Sequence, residues 1–174
     1  MDDKKFQSSN WLTVRMLDKR QRVRYALYAA EGVLGIYEHR SPRDRRPRKA
    51  IEAVKAWLNG PSENITSPTN LCAQASAAAA YAAGDAAIDA SYAAANAAAA
   101  AAYAAAEASY NPISSAGPYD AAYASAAVYS ASAANAVMRE KCLNYGFSLL
   151  NENAAGRITE SISIAFMGAL PVYG

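Results

Sequence analysis

The chain is poor in the residues that usually carry chemistry. Its 174 residues include one histidine and two cysteines. A lone His39 supplies neither a metal-ligand set nor the base of a nucleophilic pair. Its place beside Arg40 at an expected helix end suits a cation near the negative end of a helix dipole. Cys72 and Cys142 form no motif, and two free, buried thiols in a reducing cytosol are expected. There is no Ser/His/Asp or Cys/His arrangement, no phosphate-cradling glycine loop and no cluster of metal ligands. Catalysis, metal and cofactor are therefore all assigned to none. Long apolar runs are missing too. The uncharged stretch Ala90 to Ala106 is mostly alanine, too weakly apolar to span a membrane. The N-terminus, MDDKKFQSSNW, lacks the apolar centre of a signal peptide. A soluble, cytoplasmic protein without a membrane partner is expected.

Basic residues are absent over a long interval, from Ala56 to Met138. Residues 1–55 hold fourteen of the seventeen Lys and Arg against seven of the fifteen acids, and the remainder is acidic. This dipolar layout either steers an acidic partner or lets the two parts complement each other within the fold.

What fills the interval from Leu71 to Met138 is alanine, broken mainly by tyrosine, serine and a few acids. Alanine is the best helix former but offers little apolar area. Before it, apolar residues recur at three- and four-residue steps from Trp11 through Leu12, Met16, Val23, Leu27, Ala30, Leu34 and Tyr37. This predicts helices over 8–18 and 20–39. Pro47 opens a third helix that carries Ile51, Val54 and Trp57 and stops at Asn59-Gly60-Pro61. A polar loop over 60–68 follows. Further helices are expected up to Gly84, from Asp85 to Tyr110, and from Gly117-Pro118 as far as Leu150, with a short terminal helix from Arg157. Asp85, Ile88, Tyr92, Asn96, Tyr103, Glu107 and Tyr110 share one helical face, and the other faces are nearly pure alanine. Such faces let helices approach closely, with tyrosines filling the gaps between them. The expected fold is a single all-α domain over 1–174, a compact bundle of about six or seven helices. It comprises a basic part over 1–60, alanine-rich helices over 68–150 and a C-terminal helix or tail over 157–174.

The most charged element is the turn bearing Arg40, Arg43, Arg45, Arg46, Arg48 and Lys49. These cations can contact an acidic partner or clamp phosphates, or pair with Glu38, Asp44 and Glu52. Nothing resembles a groove-reading helix, so specific DNA binding is not expected. The exposed candidates for partner or ligand contact are Arg40, Arg43, Arg45, Arg46 and Arg48, joined by Tyr92 and Tyr103.

The segment from Arg24 to Glu38, then Asp44-Arg-Arg-Pro-Arg-Lys-Ala-Ile-Glu52, then Ala56-Trp57-Leu-Asn-Gly60, resembles the alanine-rich immunity proteins of bacterial polymorphic toxin systems. In that family an amphipathic helix ending in Glu leads to an Asp-x-Arg-Pro-Arg turn. A helix of the form Ala-Ile-Glu…Ala-Trp…Gly and alanine-rich helices follow. Glu31, Glu38, Asp44, Arg46, Pro47, Arg48, Ala50, Ile51, Trp57 and Gly60 fall on the pattern. The chain departs from it in having no histidine within the alanine-rich helices. The resemblance implies an all-α, non-enzymatic protein that neutralises another protein by binding it. The partner is a toxin, or a host defence protein if this is a bacteriophage-borne, anti-defence copy acting in the host cytoplasm. Glu31, Glu38, Asp44, Pro47, Trp57 and Gly60 are implied to be structural. The alternative reading is a protein that binds or sequesters a nucleotide through the Arg-rich turn and tyrosines. Oligomerisation stays open.

Overall fold

A computed structural model describes residues 2–60, 90–110 and 118–168, together with Cys72, Gln74 and Ala79. The described residues form helices α1 (Asp3–Met16), α2 (Lys19–Arg40), α3 (Arg46–Asn59), α4 (Ala90–Tyr110), α5 (Pro118–Ala134) and α6 (Met138–Gly168), and among them there is no strand. The expected loop over 61–68 and the stripe members Asp85 and Ile88 lie outside the described residues.

The helix ends have local causes. α1 begins five residues before the predicted start, because the Asp2 carboxylate accepts from the Lys5 backbone N–H at 3.1 Å and caps it. Asp18 and Gln21 form a reciprocal capping box at the start of α2. α3 ends where Gly60 adopts φ +96°, a conformation that favours glycine. The predicted continuous helix from Pro118 to Leu150 is instead two. Asn135 breaks it: its side-chain oxygen accepts from the Val137 N–H at 3.1 Å, and its carbonyl from the Met138 N–H at 2.9 Å. Conversely, no separate helix starts at Arg157, since α6 runs straight through to Gly168.

Alanine makes the centre. α4 packs chiefly against α5 and α2, with α3 on a further side. Ala94, Ala95, Ala97, Ala98, Ala101, Ala102, Ala104 and Ala105 are all but inaccessible to solvent. The stripe of larger residues does not fill gaps in the interior. Asn96, Tyr103 and Glu107 are half-buried and Tyr92 is exposed, so these four form the outer seam of a helix covered on its other sides. Helices whose backbones approach closely leave room for methyl groups only, and larger side chains are displaced to the seam. The larger core residues come from elsewhere: Phe6, Val14, Leu17, Tyr25, Tyr37, Val54 and Leu149. α6 crosses closely at Gly146, where an added Cβ would stand 2.6 Å from Thr13 Cγ2 and 3.0 Å from the Tyr25 ring. Both cysteines are free and buried, as expected. Burial pushes the Cys72 thiol up to about 11 and that of Cys142 up to about 12.

One expectation fails on α1. Trp11, Leu12 and Met16 sit at apolar periodic positions, yet all three are exposed, at 56%, 54% and 59%. The helix buries Phe6, Asn10, Thr13 and Val14 instead. Asn10 is satisfied inside the bundle: its amide donates to Ser125 Oγ at 3.0 Å, and its oxygen accepts from the Tyr25 hydroxyl at 3.2 Å. A paired amide tolerates burial, and that choice turns the indole outward.

Candidate functional site

The basic turn joins α2 to α3, and its shape follows from one buried tyrosine. Tyr37 sits in the last turn of α2 with 1% of its surface exposed. Its hydroxyl donates to Asp44 Oδ2 at 2.6 Å. Asp44 also accepts from the Arg46 backbone N–H at 3.0 Å, and from the Arg46 guanidinium with Nη2 at 2.7 Å. The first of these bonds takes the place of an N-cap side chain, which Arg45 does not supply. The Arg46 guanidinium, then the Tyr37 hydroxyl, hold the Asp44 carboxyl well below the usual carboxylate range. Burial, and then the Asp44 hydrogen bond, push the Tyr37 hydroxyl up to about 12.

Below the turn the two helices are stitched in antiparallel register. Arg48 makes a two-pronged contact with Glu38, Nε to Oε1 at 2.5 Å and Nη2 to Oε2 at 2.6 Å. Lys55 meets Glu31 at 2.5 Å. Glu31 and Glu38 are separated by two helical turns on α2, and Arg48 and Lys55 by two turns on α3, so the pairs form successive rungs. Arg20 donates to the Leu58 carbonyl near the far end. Exposed ion pairs contribute little to stability, so their main effect is alignment. Pro47 is buried in the first turn of α3, and Trp57 is half-buried against the core. Most residues of the sequence pattern thus make contacts within the α2–α3 pair. Asp44 and Glu38 are half-buried against their arginine partners, while Glu31 meets Lys55 at the exposed surface.

The arginines of the turn divide into two sets. Arg46 and Arg48 are tied to Asp44 and Glu38. Arg40, Arg43 and Arg45 are exposed, as is Lys49, and among the described residues none of the four has an ion pair. Arg43, Asp44, Arg45, Arg46 and Lys49 line a shallow depression. The tyrosine candidates are not brought to it. Tyr92 lies on the α4 seam, and Tyr103 stacks on Tyr123 of α5 with ring centroids 5.0 Å apart. Sequence reasoning missed Tyr37, whose spacing marks it only as a core residue of α2. It also missed the exposed Trp11 face.

Among the described residues, no group of acids, histidines and cysteines is arranged to hold a metal ion. No helix among them is long and apolar enough to cross a membrane. The chain matches no curated protein and no solved structure. The pattern of one protein family, described as Imm-5 like putative immunity protein, matches residues 12–139. That span takes in the α2–α3 ladder, the turn and the alanine helices α4 and α5 whole, and on this match the chain belongs to the Imm-5 like putative immunity protein family.

Proposed function

We propose that this protein neutralises a toxin by binding it directly, without catalysis, and that the basic turn is the contact surface. The observation that carries the reading is the division of the arginines. Asp44 and Glu38 hold the scaffold arginines, while Arg40, Arg43, Arg45 and Lys49 stand exposed, without an ion pair among the described residues, on a turn locked by Tyr37. A rigid cationic platform favours fast association with an acidic face and loses little conformational freedom on binding. Arginine is also a common anchor of protein interfaces.

The partner can be isolated by affinity purification from the native cell, and its binding measured by titration calorimetry. Replacing Arg40, Arg43 and Arg45 together by Glu leaves the Asp44 and Glu38 contacts in place. The triple variant is expected to bind at least a hundredfold more weakly, fail to suppress the toxin and keep its far-ultraviolet circular dichroism. Unchanged binding would remove the turn from the interface. Chemical modification of the toxin by the wild-type protein would overturn a purely binding role.

A further inference from the structure

An exposed apolar feature lies away from the turn, between α1 and α5. Trp11 and Leu12 form one wall, Tyr129 stands on the other, and Ala122 and Ala126 make an exposed floor. The groove has a volume of about 820 Å³. A smaller recess of about 340 Å³ adjoins it, sharing Trp11, Ala122 and Ser125 and lined further by Val14, Arg15 and Ala121. The walls are fixed relative to each other. The Asn10 amide on α1 donates to both the Oγ and the carbonyl of Ser125 on α5.

Three of the groove's features bear on what it accepts. Exposed apolar faces of this kind, preformed and floored by small residues, mark recognition sites more often than bare surface. Ala122 and Ala126 of the floor and Tyr129 of the wall recur at helical spacing along α5, which suits a helix laid along the groove. Among the described residues lining either recess, Arg15 is the one that carries a charge. Its guanidinium lies 4.9 Å from the centroid of the Trp11 ring, and it makes no ion pair among the described residues. Asp18, the acid closest to Arg15 in sequence, is engaged as the cap of α2, and Asp3 at the far end of α1 pairs with Arg139 at 2.6 Å.

The geometry points to this groove as a second docking site, for an amphipathic helix of a partner protein that sets an apolar side chain between Trp11 and Tyr129 and a carboxylate against Arg15. The site stands independently of the basic turn and holds whether or not the turn touches the toxin. A second copy of this chain is a poorer occupant. Its own groove would bring Arg15 against Arg15 in a symmetric pairing.

A synthetic fourteen-residue helical peptide, with leucines along one face and glutamates flanking them, tests the site against the same peptide carrying lysines. Binding is read from tryptophan emission, with Trp11→Phe as the control that removes the reporting indole. The acidic peptide is expected to bind saturably with a blue shift, and the lysine peptide at least tenfold more weakly. Arg15→Glu should reverse that preference. Ala126→Trp, which fills an exposed part of the floor without touching the core, should abolish binding while the melting curve stays unchanged. Absence of saturable binding, equal affinity for both peptides, or binding that survives Ala126→Trp overturns the proposal. So does concentration-dependent dimerisation that Ala126→Trp abolishes, which would give the groove to a second copy.

Discussion

Asp44 shows how much a single side chain can organise. It gathers the Tyr37 hydroxyl and both the backbone and guanidinium of Arg46, and so joins a core residue to a helix start. Because its folded-state carboxyl titrates below the ordinary value of 3.8, it stabilises the fold above that pH. The contribution is lost progressively as the pH falls below it. Asp44→Asn is expected to cost about 1–3 kcal/mol near neutrality. Its melting temperature should converge on that of the wild type between pH 5 and pH 2. A gap that does not narrow would show that the charge is not what matters. The turn-forming role of Asp44 was legible in the sequence, as was a pairing of Arg46 or Arg48 with Glu38. The part played by Tyr37 was not, because its spacing says core and says nothing of where a hydroxyl ends. Trp11 misled for the opposite reason. Its spacing also says core, but α1 turns the satisfied amide of Asn10 inward, and only tertiary contact decides between two faces of similar polarity.

The helices themselves were readable wherever proline, glycine or a capping side chain marks an end, as at Pro47, Gly60 and Pro118. Asn135 was harder, since no proline or glycine stands beside it, and the break rests on its side-chain bond to Val137 and its carbonyl bond to Met138. The inward face of α4 was the least legible feature. Rules of amphipathicity send large residues inside, whereas here the interhelical space admits only methyl groups. The two faces should respond differently to substitution. Ala98→Leu, in the inaccessible face, is expected to destabilise by about 1–3 kcal/mol through overpacking. Ala93→Gln, on the half-buried seam, should stay within about 0.5 kcal/mol. Thermal melts of the two variants decide the matter. Equal effects would mean that α4 is not the close-packed centre.

Over the whole molecule, basic and alanine-rich parts have separate tasks. The α2–α3 pair holds its own ladder of charges, and among the described residues no acid of the alanine-rich helices pairs with the exposed cations of the turn. On the proposed function Arg40, Arg43, Arg45 and Lys49 meet the partner, and the groove by Trp11 lies on a different pair of elements. The alanine interior has a further, thermal consequence. Unfolding this chain uncovers methyl groups where most proteins uncover leucine, valine and phenylalanine, so less apolar surface meets water per residue. The heat-capacity increment should therefore fall below the ~12–15 cal/mol/K per residue of ordinary domains. With less curvature, the stability curve is broad. Such a protein keeps a similar margin of stability from a cold environment to a warm one, and differential scanning calorimetry across a range of pH measures the increment directly.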